Sequence, residues 1–175
     1  LKPDLTDWEE MIKNLHESKR CVKVAIVGKY TALHDAYLSV AEALKHGAIA
    51  NKVQVDIEWI DSEKITKDNV DEVLKGIGGM VVPGGFGVRG AEGKILAISY
   101  ARRNKIPFLG ICLGMQLAIV EFARNELSLK EAFSTEFDAD AKEPVIALMP
   151  EQNGVTNLGG TLRLGAYPCV LGKDT

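Results

Sequence analysis

The sequence predicts an α/β fold, an open and mostly parallel sheet with helices on both faces. Three observations predict it. Apolar runs of strand length recur at residues 21–27, 79–82 and 108–111, and near-continuous apolarity marks strands buried on both sides. Segments of helical length separate them, which implies β-α units and a parallel sheet. Glycines gather where the runs end, at Gly28, at Gly84-Gly85-Phe86-Gly87 and at Gly110 and Gly114, and open α/β sheets bind ligands at the carboxyl ends of their strands.

Taken in order, Leu1-Lys2-Pro3-Asp4-Leu5 reads as a linker. Thr6 and Glu9 have capping-box spacing, and Trp8, Met11, Ile12 and Leu15 follow at helical intervals, so a first amphipathic helix is expected on the domain edge. Residues 21–27 form a buried strand, Gly28-Lys29-Tyr30 a turn, and residues 38–50 a helix. Alternation over 53–60 predicts a second strand, 68–77 a short helix, and 79–82 a third strand. A helix over about 93–104 leads through Pro107 into a strand at 108–111, with a further helix from Leu113. Beyond Asn125 the periodicity weakens. Residues 145–149 read as one more strand, and 158–171 as a glycine-punctuated pair. Residues 1–20 are thus interdomain linker and first helix, and 21–175 one domain.

At 175 residues and 46% hydrophobic content, one buried core is expected. Twenty-one basic against 24 acidic residues leave a charge of −3 with no basic run, so nucleic acid is an unsuitable partner. No apolar run approaches the roughly 20 residues of a membrane span, and the start lacks a signal pattern; the expectation is a cytoplasmic domain without membrane contact. Three cysteines, Cys21, Cys112 and Cys169, suit reduced thiols better than a disulfide framework. The opening Leu1 and the ending Lys173-Asp174-Thr175 both read as cut ends, with the C-terminal part of the domain lacking.

Gly110-Ile111-Cys112-Leu113-Gly114 is the cysteine version of the G-x-S-x-G elbow, in which a strand ends, a nucleophile sits on a tight turn and a helix begins. The turn brings backbones so close that only glycine fits two positions before and two after. A thiol there meets the positive end of the helix dipole, which favours the reactive thiolate. The alternative is a core cysteine after a strand. Pro83-Gly84-Gly85-Phe86-Gly87 follows the third strand and can present backbone N–H groups to an oxyanion, or can be a plain flexible turn. Gly85-Phe86-Gly87-Val88-Arg89-Gly90 also matches the dinucleotide pattern G-x-G-x-x-G, but it follows the third strand, and no acid stands at the end of the next one. Gly93-Lys94-Ile95 lacks the Ser/Thr of a phosphate loop. His16, His34 and His46 all precede Cys112 and suit surface or capping roles, with His34 alone in a loop on the active edge. No metal constellation is visible: the histidines and cysteines lack ligand spacing.

With the cysteine elbow and the glycine turn, the chain resembles the class I glutamine amidotransferases, and among them the glutaminase domains of the CTP synthase family. Further segments carry the likeness: Val27-Gly28-Lys29-Tyr30 with Asp35-Ala36-Tyr37 and Ser39, Arg89-Gly90, Met115-Gln116, Ser134-Thr135-Glu136-Phe137, and Leu158-Gly159-Gly160-Thr161-Leu162-Arg163-Leu164-Gly165. The resemblance implies a flavodoxin-like three-layer sandwich. It implies that Cys112 attacks the side-chain amide of L-glutamine, releasing ammonia and leaving a thioester that water hydrolyses. It places the oxyanion on the N–H groups of Gly85 and Leu113. Gly84, Gly85, Phe86, Leu113, Gly114, Met115, Gln116 and Glu136 would then form the glutamine pocket, with the Glu136 carboxylate suited to the substrate ammonium.

The resemblance further implies that this domain needs no cofactor and feeds an amidoligase domain of the same parent chain, which uses ATP and Mg²⁺ to aminate UTP to CTP. GTP would act as allosteric activator, and the parent enzyme would be a homo-oligomer. Two departures stand out. The family's downstream His-x-Glu pair falls beyond the last residue given, and Glu151-Gln152-Asn153-Gly154-Val155-Thr156 is shorter than the family segment. A non-catalytic or regulatory module that keeps the elbow without its base is the alternative, and a different cysteine-elbow protein that does not select glutamine is a third reading.

Overall fold

The computed structural model describes residues 3–149, 166 and 168–173. Its core is a four-stranded sheet of β1 (Cys21–Gly28), β2 (Gln54–Asp61), β3 (Gly79–Val82) and β4 (Phe108–Gly110), in the order β2-β1-β3-β4. Every pairing is parallel: Ala25 sits opposite Glu58 and Met80, and Val81 opposite Leu109. The strand order reverses between β1 and β3. Chains leaving these two strands therefore diverge and open a crevice at the carboxyl edge, the usual ligand position in doubly wound sheets.

Alternation along the strands divides the core. Ala25, Val27, Met80 and Val82 join one buried cluster with Leu74, Ile95, Ile98, Leu113, Leu117 and Val120. These come from the stretch after α3 (Val70–Val73), from α4 (Ala91–Arg103) and from α5 (Leu113–Asn125). On the other face, Val81, Leu109 and Ile111 line a shallow cleft of about 340 Å³ with Val40 and Leu44 of α2 (Leu38–Ala50). Leu109 stays 57% exposed there, so this face is covered less completely than the first. A latch fixes α4 against α5: Arg102 donates from Nε and Nη2 to the fully buried Glu121 carboxylate at 3.0 Å, and Asn125 adds a bond at 2.7 Å.

The first helix, α1 (Thr6–Glu17), forms where its period predicts, but the capping box does not. Asp4 Oδ1 accepts from both the backbone N–H and the hydroxyl of Thr6, so Thr6 is engaged by the residue upstream. No α1 residue is buried; Trp8, Ile12 and Leu15 are exposed, and the helix meets α2 across a cleft of about 560 Å³ lined by Trp8, Met11, His46 and Ile49.

After α5 the chain forms a two-stranded parallel ribbon, β5 (Ala132–Ser134) with β6 (Glu143–Ile146). The strand expected at 145–149 is thus shifted to an earlier start, and three-residue β5 was not foreseen at all. The expected strand pair over 158–171 lies largely outside the described residues; residues 168–171 carry no strand. No helix among the described residues is long and apolar enough to cross a membrane.

Candidate active site

The elbow takes its shape from two contacts that exclude side chains. A Cβ on Gly114 would stand 1.9 Å from the Val82 carbonyl oxygen, and one on Gly110 would stand 2.6 Å from the Met115 nitrogen. The strand and the incoming helix therefore touch backbone to backbone, as the spacing of the two glycines requires. Ile111 N donates to Val82 O at 3.0 Å and Gly114 N to Ile111 O at 2.9 Å, which pins the turn between β4 and α5. Cys112 is left at φ 52°, ψ −111°. For a residue with a side chain, that conformation costs on the order of 1–3 kcal/mol, and such strain clusters at functional positions. The side chain is exposed, and its residue caps the N-terminus of 13-residue α5, where an anion is favoured.

The glycine turn after β3 faces this cysteine. A Cβ on Gly84 would lie 3.4 Å from Cys112 Cβ and 3.9 Å from its sulfur; one on Gly85 would lie 3.6 Å from Leu113 Cδ2. Gly84, Gly85, Cys112 and Leu113 thus form one cluster. Leu113 is buried and starts α5, so its N–H is one of the helix's orphan donors. Gly87 and Gly90 both have φ +74°, and Gly90 caps α4 with Ser62 packed against it.

Glu136 reaches the same loop from the β5–β6 ribbon. Its Oε1 accepts from Gly87 N at 3.2 Å, and its own N–H donates to Ser134 Oγ at 3.2 Å. Arg124 docks the ribbon on α5: Nε donates to Ala132 O at 2.8 Å, and the guanidinium lies 5.0 Å from the Phe133 ring centre. Phe86 is 80% exposed and Met115 47%, so neither packs into a closed pocket, while Gln116 N donates to Cys112 O in the first helical turn at 3.1 Å.

The histidines lie elsewhere. His34 stacks on Trp59 of β2 at 4.4 Å and 12°, on the strand farthest from β4. His46 lines the α1–α2 cleft, and His16 stands in the last turn of α1. Among the described residues, no group of three His, Cys, Asp or Glu could hold a metal. The motif with Arg163 lies outside the described residues.

Two lysines at the glycine turn were not singled out as site residues by the sequence. Lys29 Nζ donates to the Phe86 carbonyl. Lys94, in the first turn of α4, is 1% exposed, and its Nζ would be 3.7 Å from a Cβ on Gly85. A signal existed: Lys94 falls on the apolar stripe of Ala91, Ile95, Ile98 and Ala101, where a lysine is out of place.

Residues 32–175 match the family described as Glutamine amidotransferase class-I. The chain belongs to that family. This amidotransferase domain is 57% identical over 172 residues to the CTP synthase of Clostridium acetobutylicum, which covers 98% of this chain and 32% of the relative. Against the CTP synthase of Ruminiclostridium cellulolyticum it is 57% identical over 174 residues, 99% of this chain and 32% of the relative. The chain thus spans about a third of these curated relatives. Among solved structures, it is similar to the Trypanosoma brucei CTPS glutaminase domain with bound acivicin, at TM-score 0.69 and 41% identity over 75% of this chain and 51% of that one. The amidotransferase fold expected from the sequence is the one observed.

Proposed function

We propose that this chain is the glutamine-hydrolysing part of a CTP synthase, with Cys112 as its nucleophile. The observation that carries the reading is the strained cysteine at φ 52° facing the Gly84–Gly85 turn, in a chain 57% identical to CTP synthases. The Cys112 thiolate attacks the side-chain carbonyl carbon of glutamine. The electron pair moves onto the carbonyl oxygen, which the N–H groups of Gly85 and Leu113 receive. Collapse of that intermediate expels ammonia, once the leaving nitrogen is protonated, and leaves a glutamyl thioester. Water then adds to the thioester and releases glutamate and the thiol. The base for these proton transfers is the family's His-x-Glu pair, which the sequence given does not include.

Glu136 holds the substrate ammonium, and its bond to Gly87 N ties that contact to the oxyanion loop. Phe86, Gly84, Gly114, Met115 and Gln116 complete the pocket on this reading. Ammonia passes to an amidoligase domain of the parent chain, where ATP and Mg²⁺ support amination of UTP to CTP, with GTP as activator. The parent is a cytoplasmic homo-oligomer, residues 1–20 are its linker and first helix, and residues 21–175 are the amidotransferase domain.

The test is covalent labelling with 6-diazo-5-oxo-L-norleucine, read by intact-mass and peptide mass spectrometry, with Cys112→Ala as control. One adduct per chain on Cys112, absent from the control and slowed by L-glutamine, is the expected result. No label on residues 1–175 alone would mark a catalytically incomplete glutaminase domain, whereas a chain that also carries the His-x-Glu pair and takes no label, or takes it on Cys21 or Cys169, would favour a non-catalytic module.

A further inference from the structure

Lys94 is the largest fully buried side chain among the described residues, and within them its Nζ has no hydrogen-bond partner. An unpaired ammonium in a protein interior is costly, and natural folds rarely keep one without a use. Its place is specific. Gly93, the residue before it, packs so tightly on Ser62 that a Cβ there would stand 1.8 Å from the Ser62 carbonyl oxygen, which fixes how the first turn of α4 seats. From that turn the lysine runs to the Gly85 backbone, on the Leu113 side of the turn that also faces the Cys112 sulfur.

We propose that Lys94 is a positioning residue for the cysteine site: its buried ammonium gives the wall behind Gly85 a fixed positive charge that favours anions at Cys112, the thiolate and the oxyanion alike. The proposal rests on the reading of Cys112 as nucleophile. It involves no proton transfer from Lys94 and no contact with substrate. In a partly desolvated site, one charge acts more strongly than it would in water, and it needs no reorganisation during reaction.

The groups facing Lys94 can be named. Lys29, from the loop after β1, adds a second positive charge, and Cys112, from the β4–α5 turn, is the group of opposite sign. Of the remaining charges nearby, Glu92 on α4 pairs with Arg124 of α5, Glu63 pairs with Arg89, and Lys64 with Asp61. Glu136 of the ribbon bonds Gly87 N. Burial first, and the Lys29 charge second, push Lys94 down from 10.5 to about 8, while Cys112 opposes them. The charge behind Gly85 is therefore present at neutral pH and lost on moderate alkalinisation.

The experiment measures the potential at Cys112 directly. The folded chain is alkylated with iodoacetate, an anion, and in parallel with neutral iodoacetamide, and the Cys112 rate for each is read by peptide mass spectrometry. The same thiolate attacks both reagents and displaces iodide, so the rate ratio cancels thiolate content and reports local charge. In Lys94→Met, which keeps the aliphatic stem, the iodoacetate-to-iodoacetamide ratio at pH 7 should fall on the order of fivefold. In the unaltered chain, the ratio should drop through about pH 8, where Lys94 loses its proton, and in the variant it should be flat.

A ratio unchanged by Lys94→Met, or a pH step that persists in the variant, overturns the proposal and leaves Lys29 or the α5 dipole as the source. A rate lowered equally for both reagents, with the ratio intact, means a structural role only and also overturns it. Should Lys94→Met not fold, Lys94→Gln and the pH titration of the unaltered chain carry the same decision. The ratio does not depend on the substrate. Failed labelling by the glutamine analogue, in a chain that carries the His-x-Glu pair, beside a positive ratio result would therefore count against the glutaminase reading alone.

Discussion

At the carboxyl ends of β1 and β2, unusual residues are absorbed by packing. Gly28 lies under the Tyr37 ring, where a Cβ would come within 2.5 Å of the hydroxyl oxygen, and His34 rests flat on Trp59. At the carboxyl ends of β3 and β4 they are not absorbed. Cys112 is held off the common backbone wells and exposed, and Lys94 is buried beside it without a partner among the described residues. Both halves belong to one parallel sheet with glycine-bearing loops, so loop composition does not separate them. Strain and unmatched charge do, and a histidine in the right kind of loop is no sign of chemistry when a ring already occupies its face.

The most disruptive way to probe the difference is Gly114→Ala. The new methyl would meet the Val82 carbonyl at 1.9 Å, and backbone on both sides leaves nothing soft to yield. A loss of about 3 kcal/mol or more in urea denaturation is expected, beyond the usual range for overpacking. A loss under about 1 kcal/mol would mean that α5 is not pinned on β3, and that the φ of Cys112 is not imposed by this contact.

Next in size is the stability effect of Lys94→Met. Because the folded chain holds this lysine's proton more weakly than the unfolded one, 10.5 falling to about 8, burial of the charge costs stability in full below pH 8. Between pH 8 and 10.5 the unfolded chain binds more protons, so stability rises with pH, and above 10.5 the penalty is gone. The variant should accordingly be more stable at pH 7 by up to about 3 kcal/mol. Its advantage should shrink from pH 8 upward and disappear by about 10.5, measured by urea denaturation across that range. A variant less stable at pH 7 would show that the ammonium is compensated, and the contrast between the two halves would lose its main electrostatic member.

Most of the scaffold was legible because it is written in apolar runs. β1 and β3 are rich in Val, Ile and Met, β4 opens on Phe108-Leu109, and α2 starts and stops where its period predicts. The elbow was legible for a different reason: two backbone contacts tolerate glycine alone, and that constraint shows in sequence as a fixed spacing. What stayed hidden depends on partners far away in the chain. β5 is three residues long and exists through β6 and the Arg124 bond to Ala132. The capping box at Thr6 failed because Asp4, outside the motif, takes the hydroxyl. Lys94 belongs to no phosphate-loop motif, and its signal lies instead in the period of α4, which puts a lysine on the core face of the helix.

The smallest expected effect concerns the quiet half of the sheet. Gly47 lies inside α2, exposed, and a Cβ there would meet nothing within 4 Å. Glycine in a helix interior costs about 0.5–1 kcal/mol relative to alanine, chiefly through freedom lost on folding, so Gly47→Ala should stabilise by that amount with the urea m-value unchanged. Labelling of Cys112 by the glutamine analogue should proceed at the original rate, since Gly47 is exposed and a methyl there meets no other group within 4 Å. A destabilised variant would mean that the neighbouring α1–α2 cleft, lined by His46 and Ile49, needs the slack that glycine provides. A stabilised variant with altered labelling would say something stronger: that rigidity gained beside β2 crosses β1 to the switch point, and that the two halves share one conformational equilibrium.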